Sequence, residues 1–409
     1  MTRRRHPANI GEILTEWKMR TTTGSNAQPD RIVRPADDFV HTGPGTMAGR
    51  YLRRYWQPIY VSAKLAQGSV IPIRILGEDL ALYRGESGEA HVMTNECPHR
   101  LSVLNTGWIE GETLRCRYHG WRFDECGRCV EQPAEPKPFC HKVPKLASYR
   151  THEAHGLIFA WLGVGDAPAF RPLPGLEGGA REGWTVCPSA EMIPCNYFQS
   201  AENIMDDVHV NFSHRDHLVN TAARPFVPTK TWARETSFGL TQFQKRGEQT
   251  DQIHFIMPNQ CYLAHPLRSA RDDKPFWFKA LFWYVPIDDE SHLHFLIMVY
   301  HTKRPERPGG TPVHEEIEAI LSGRKTWQDV ARHPNLIRIQ DGVAICGQGK
   351  IVDRSRERLG TSDAAVILLR KIWKRELKSL ATQNAVTGFG TPDPQALRQE
   401  EMDAMGFNA

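Results

Sequence analysis

Cys97-Pro-His99, followed after sixteen intervening residues by Cys116-Arg-Tyr-His119, decides how this chain is read. Two thiolates and two imidazoles in that order can put Cys on one iron and His on the other of a [2Fe–2S] cluster. Four ligands to zinc are the alternative, because the same donor set suits a tetrahedral ion.

About ninety residues further on, Ala201-Glu-Asn203-Ile-Met-Asp206-Asp-Val-His209-Val-Asn-Phe-Ser-His214 sets two His five positions apart, with Asp206 three before the first. On one helix a spacing of five turns the second side chain by roughly 140° from the first. A helix distortion is therefore expected if both are to reach one metal. Two His and one carboxylate on one face of an iron leave positions open for dioxygen. An isolated pair of this kind is more often a polar helix surface.

The carboxylate must come from far along the chain, and Asp341, Asp353 and Asp363 are candidates. Asp341 lies in Leu336-Ile-Arg-Ile-Gln-Asp341-Gly-Val-Ala-Ile, where Ile337, Ala344 and Ile345 make a largely apolar face. A carboxylate turned toward a core needs a charge partner or a metal, which favours Asp341. Asp353 and Asp363 fall in a charged stretch where solvent or Arg pairing accounts for them, and Asp363 reads as a helix N-terminal residue ahead of Ala364.

The C-x-H then C-x-x-H order, with Gly120-Trp121 straight after the last His, resembles the Rieske ferredoxin motif. Asn203-x-x-Asp206-x-x-His209-x4-His214 resembles the mononuclear iron motif of Rieske oxygenase catalytic subunits. High-potential Rieske proteins carry an extra Cys in each cluster loop, and here those positions are Ser102 and Tyr118, as in the low-potential, ferredoxin-like type. Gln340-Asp341, Gly349-Lys-Ile-Val-Asp353-Arg-Ser, Glu357-Arg-Leu-Gly360-Thr-Ser-Asp363, Val285-Pro-Ile-Asp-Asp289 and Leu157-Ile-Phe-Ala-Trp-Leu-Gly163 are similar to the phthalate-dioxygenase-type group, which has catalytic subunits only. The resemblance covers most of residues 43 to 375. Cys346 departs from it, standing where the group has Glu five residues after the ligand Asp.

The resemblance implies Cys97, His99, Cys116 and His119 as cluster ligands and His209, His214 and Asp341 as ligands of a mononuclear non-haem Fe(II). It implies electrons from NAD(P)H through a separate reductase or ferredoxin. It further implies a head-to-tail homotrimer, in which Asp206 bridges His209 and a neighbour's His119. Asp206 is preferred over the adjacent Asp207 for its offset of three to His209, and Asn203 is expected near the iron. Substrates of the group are mostly aromatic acids, so a pocket arginine is expected among Arg215, Arg224, Arg234, Arg246 and Arg268, with His217, His254 and Asn259 as further polar options. The segment Gly43-Pro-Gly-Thr-Met-Ala-Gly-Arg-Tyr-Leu-Arg-Arg-Tyr-Trp resembles that of O-demethylating members. The expected reaction is thus O-demethylation of a methoxylated lignin-derived aromatic, ahead of ring hydroxylation or cis-dihydroxylation. A Rieske electron carrier without oxygenase activity would need only about a hundred residues, and it leaves the second motif unexplained.

The remaining composition bounds the class. At 409 residues, 40% hydrophobic and 24% charged, the chain is long enough for two domains. No apolar run reaches the length of a membrane span, and Met1-Thr-Arg-Arg-Arg-His-Pro lacks the apolar core of an export signal, so a cytoplasmic protein is expected. A net charge of +4 is weak evidence for a polyanion partner, and nucleic-acid binding is not expected. Cys126-Gly-Arg-Cys129 with Cys140-His141 invites a second metal site, but a turn followed by a strand is the stronger reading, and Cys187, Cys195 and Cys261 read as core thiols. The expected fold is α+β: an all-β Rieske domain and a catalytic domain with an antiparallel sheet covered by helices. Its parts are an N-terminal arm over 1–44, the Rieske domain with a leading helix over 45–165, the iron domain over 166–382 and a tail over 383–409.

Overall fold

The computed structural model describes residues 35–176, 185–214, 230–246, 249–268, 275–300, 311–397 and 399. They fall into two compact units, one of residues 43–170 and one of residues 35–42 with 171 onward.

The first unit opens with α1 (Met47–Leu52), capped by the Thr46 hydroxyl, which accepts from the Gly49 amide at 3.0 Å. Its strands are β1 (Gln57–Val61), β2 (Val70–Ile75), β3 (Glu78–Arg84), β4 (Ala90–Thr94), β5 (Trp108–Glu110), β6 (Thr113–Arg115), β7 (Arg122–Phe123), β8 (Cys129–Glu131), β9 (Ser148–Ala154) and β10 (Leu157–Trp161). They make a six-stranded sheet in the order β1-β10-β9-β4-β3-β2 and a small one in the order β5-β6-β7-β8. The small sheet has two unlike faces. Ile109, Leu114, Phe123 and Cys129 turn into a core shared with Tyr83 and Met93, while Glu110, Arg115, Arg122 and Glu131 occupy the other face.

The second unit holds β11 (Thr185–Ile193), α2 (Tyr197–Asn203), α3 (Val210–Ser213), β12 (Lys230–Thr236), β13 (Gly239–Arg246), β14 (Gln249–Ile256), β15 (Gln260–Arg268), β16 (Pro275–Pro286), β17 (His292–Tyr300), α4 (Val313–Leu321), α5 (Trp327–Val330), α6 (Leu336–Cys346) and α7 (Ala364–Gln383). The seven strands form one antiparallel sheet in the order β11-β17-β16-β15-β14-β13-β12. Cross-strand register places Ser189, Leu296, Phe282, Cys261, Phe255, Leu240 and Glu235 on one face, because directly paired residues point the same way. Arg338 of α6 reaches Ser189 at 3.2 Å and Arg375 of α7 reaches Glu235 at 2.7 Å, so the helices cover that face. The expected α+β organisation holds.

The sequence pattern predicts strands over 252–257, 276–284 and 292–300; the first begins three residues earlier and ends one sooner, the second is longer at both ends, and the third matches. Asp363 is the N-cap residue of α7, and Asp353 accepts from Ser355 at the start of a short 3-10 turn, so neither needs a metal. Residues 35–42 are pinned to the second unit: Phe39 packs on Phe198 with ring centroids 4.2 Å apart, and the Tyr197 hydroxyl donates to the Phe39 carbonyl at 2.6 Å. Residues 1–34 lie outside the described set.

Candidate metal centres

The four Cys and His of the first motif sit in two loops of one design. In the loop after β4, the Cys97 amide donates to the Ser102 carbonyl at 2.8 Å and the Leu101 amide donates back to the Cys97 carbonyl at 2.9 Å. In the loop after β6, Cys116 donates to Trp121 at 2.8 Å and Gly120 to Cys116 at 3.0 Å. The fifth residue of each is left-handed, Leu101 at φ 58° and Gly120 at φ 73°. At Gly120 the space is also closed, since an added Cβ would lie 2.9 Å from Pro133 Cγ.

Both thiols are buried, and both His are half-buried with ring centroids 4.4 Å apart. Each thiol acts on the other: Cys116 pushes the Cys97 thiol up, and Cys97 brings Cys116 down to about 6. His99 stacks on Trp121 at 4.4 Å, yet its Nδ1 is buried with no hydrogen-bond partner. A buried imidazole nitrogen left unpaired is costly, and two thiols beside two imidazoles are the donor set of a Rieske cluster. The residues fit the group.

The second motif does not lie on one helix. Helix α2, capped by the Asn196 side chain, ends at Asn203; the chain turns, His209 precedes α3, and His214 closes it. Inside the turn the Val208 amide donates to Asp206 Oδ1 at 3.0 Å. The break does what a mid-helix distortion was expected to do. The rings of His209 and His214 come to 5.4 Å, and their Nε2 atoms lie 3.3 and 3.1 Å from one oxygen of Asp341 on α6. Asp341 reaches this point because α6 packs closely on α4: a Cβ at Gly342 would stand 2.1 Å from Ile317 Cδ1.

Each imidazole is anchored through its other nitrogen. His214 Nδ1 pairs with Gln340 Oε1 at 2.9 Å, and His209 Nδ1 with the Asp206 carbonyl. The Asp206 carboxylate itself stands 4.0 Å from His209 Nδ1, so the direct link runs through the backbone and not, as expected, through the side chain. Asn203 Nδ2 donates to Asp341 Oδ1 at 3.1 Å. Burial opposes charge on His209, but Asp341 overcomes it and raises its pKa; burial likewise opposes an ionised Asp341, and hydrogen bonds from His209 and then His214 pull it well below the usual carboxylate range. Among the described residues these three are the group placed to share one metal ion, with ligand atoms within 4.8 Å of one another. Two Nε2 atoms fixed from behind and facing one carboxylate fit a two-His, one-carboxylate iron.

Gln340 was missed as a partner of His214, although it is a polar residue in the same apolar helix stretch that singled out Asp341. Gln199 was missed as well: its amide ties α2 to the Ile345 and Gly349 carbonyls at 2.7 and 3.1 Å. Cys346, in place of the expected Glu, packs against the core that holds the buried Cys195. The Cys129 thiol donates to the Glu131 carbonyl at 3.7 Å and Cys140 packs against the same core, while Cys126 is half-buried with its thiol toward Glu125. Of the pocket candidates, Arg215, Arg224 and His217 lie outside the described residues, as do the side chains of Arg246 and Arg268. Arg234 is exposed over the Phe243 ring. His254 pairs with Thr241 inside the sheet, and Asn259, in the turn before β15, donates to the Tyr284 carbonyl.

Comparison with known proteins places this geometry. Residues 55–150 match the Rieske [2Fe-2S] domain. The chain is 31% identical, over 84% of its length and 80% of the relative's, to the 5,5'-dehydrodivanillate O-demethylase oxygenase subunit of Sphingobium sp. (strain NBRC 103272 / SYK-6). It is 30% identical to the phthalate 4,5-dioxygenase oxygenase subunit of Pseudomonas putida, over 84% and 85%. In fold it is similar to the caffeine-bound NdmA of Pseudomonas putida CBB5, with TM-score 0.61, 21% identity and coverage of 88% of this chain and 97% of that one. The chain belongs to the Rieske non-haem iron oxygenases, as a catalytic subunit of the phthalate-dioxygenase type. It is an enzyme whose cofactors are a Rieske [2Fe–2S] cluster and a mononuclear iron, supplied with electrons by a separate reductase or ferredoxin. No helix among the described residues is long and apolar enough to cross a membrane.

Proposed function

We propose that this chain is the terminal oxygenase of an O-demethylase acting on a methoxylated, lignin-derived aromatic acid. In this reading Cys97, His99, Cys116 and His119 hold the cluster, and His209, His214 and Asp341 hold the iron. The observation that carries the oxygenase is the convergence of two anchored Nε2 atoms on Asp341; the O-demethylase relative carries the choice of reaction. When bound, the iron activates dioxygen and the cluster hands on electrons drawn from NAD(P)H through the reductase. In balance, a methyl aryl ether, dioxygen, two electrons and two protons give a phenol, formaldehyde and water.

The chain's own residues hold the site in shape for this. Gln340 and the Asp206 carbonyl keep both Nδ1 atoms occupied, which leaves Nε2 as the ligating nitrogen. Asn203 turns one Asp341 oxygen toward the imidazoles. The Asp206 side chain keeps 33% exposure, and in a head-to-tail trimer it would accept a hydrogen bond from the neighbouring subunit's cluster ligand.

The phthalate dioxygenase relative favours a second reading, attack on the ring itself. The test is the anaerobically reduced holoenzyme given oxygen with methoxylated and unmethoxylated aromatic acids. Formaldehyde in step with loss of a methyl group is expected. A product heavier by two oxygens and two hydrogens, without formaldehyde, would replace this reading with the second.

A further inference from the structure

The polar face of the small sheet carries charges that the oxygenase reading does not use. Arg115 on β6 directly precedes Cys116 and makes four hydrogen bonds: Nη1 to the Gly120 carbonyl at 2.8 Å, Nε and Nη2 to the two Glu110 oxygens at 2.7 Å each, and Nη2 to Glu131 at 2.8 Å. Arg122 on β7 closes the set, 2.9 Å from Glu131 and 3.8 Å from Glu110. One residue from each of four neighbouring strands thus builds a square of two Arg and two Glu, balanced in charge. Glu110 is pulled down to about 2, first by its bonds from Arg115 and then by Trp108.

The square is tied to the second cluster loop at one atom. Gly120 follows His119, is left-handed, and is hemmed by Pro133, so its carbonyl has little freedom once Arg115 holds it. A bidentate guanidinium fixed by a carboxylate on its far side is a rigid donor, which an ammonium cannot reproduce. The square also places four charges on the face of the sheet opposite its apolar core, next to the loop that holds a centre gaining one negative charge on reduction.

We propose that Arg115 is a positioning residue for the [2Fe–2S] cluster: it fixes the Gly120 carbonyl and with it the His119 loop, and with Glu110, Arg122 and Glu131 it sets the charge that tunes the cluster's reduction potential. The proposal rests on the ligand reading above. Removing Arg115 takes away positive charge and lowers the potential; removing Glu131 takes away negative charge and raises it. Because both groups are partly exposed, each shift shrinks as salt rises.

The test uses full-length holoenzyme with H119A, R115Q, R115K and E131Q. The readouts are iron and acid-labile sulfide per chain, visible circular dichroism, the reduced cluster's electron paramagnetic resonance, and midpoint potential at low and high salt. H119A should lose the native cluster signature; if it keeps it, the ligand reading fails, and the proposal with it. Given that loss, R115Q should hold several-fold less cluster and lower the potential of what remains. R115K should restore most of the potential but not the native resonance. E131Q, which makes no contact with Gly120, should keep full cluster content with a raised potential. R115Q with native content, resonance and potential would overturn the proposal, as would shifts of one sign in R115Q and E131Q. Should R115Q fail to fold, E131Q with an unchanged potential at low salt overturns it alone.

Discussion

Each half of the cluster site is one short loop, Cys97 to Ser102 or Cys116 to Trp121, closed by the same two backbone hydrogen bonds. The iron site instead joins His209 and His214, on either side of α3, to Asp341 on α6, and holds each with a different neighbour. The first site is shaped by its own backbone, so its geometry is settled within a few residues. The second exists only when α2, α3, α4 and α6 have packed. A change far along the chain should therefore disturb the iron and leave the cluster alone.

The widest separation should come from the ligands. His209→Ala should abolish product formation while cluster content and its visible spectrum stay native. His119→Ala should erase the cluster spectrum and leave iron bound. Metal analysis and spectra on both variants check this, and a His209→Ala protein that also lost its cluster would show that the two sites are not built independently. Asp206→Asn tests the passage between them: both centres should load, with transfer in single-turnover reactions slowed by roughly 10–100-fold, the range for losing an orienting carboxylate. A native single-turnover rate would remove Asp206 from the path.

Gln340→Ala probes the anchoring of the iron site more gently. Without its partner, His214 Nδ1 is buried and unpaired, and iron affinity should fall by roughly 10–100-fold. Titration of the metal-depleted protein with ferrous iron gives the number, and an unchanged affinity would mean that packing alone aims His214.

The contrast between the sites also governs what could be read from sequence. The cluster motif was legible because spacing within a loop is the geometry of that loop. The His209 and His214 spacing was legible only as a puzzle, since no pattern in Ile204 to Val208 announces that the helix stops there; the Asp206 side chain and carbonyl settle it by bonding locally. Asp341 is legible through its apolar neighbours, whereas the role of Gln340 is not, because its partner His214 is 126 residues away. Strand ends ran past their expected limits because Gln249 to Asp251 pair with Gln244 to Arg246, and ladder bonding does not need apolar side chains. Polar composition likewise suggested an arm where Phe39 and the Val40 carbonyl are held by Phe198, Tyr197 and Asn196.

Gly342→Val should act on the iron site through packing alone. The added atoms meet Ile317, which is fully buried and has nowhere to go, so α4 and α6 must part slightly. The expected loss is about 1–3 kcal/mol in stability, read by denaturant unfolding, with iron affinity falling and the cluster's resonance unchanged. Native iron affinity at that loss of stability would show that Asp341 does not depend on this contact.

The smallest effect separates the two cluster loops from each other. Leu101 adopts the left-handed conformation that Gly120 adopts in its counterpart, at a cost of about 1–2 kcal/mol for a residue with a Cβ. The residue is 64% exposed, so burial within the subunit does not offset that cost. Leu101→Gly relieves the strain but adds about 0.5–1 kcal/mol of unfolded-state entropy, and the net change should lie between about 0 and 1.5 kcal/mol in favour of folding. Cluster content and potential should be native. If the variant is as stable as expected but accepts electrons more slowly from its reductase, or passes them more slowly to the iron, the exposed leucine serves a contact outside its own unit. If stability instead falls by more than about 1 kcal/mol, the side chain supports the loop, and the two halves of the cluster site are less alike than their backbones.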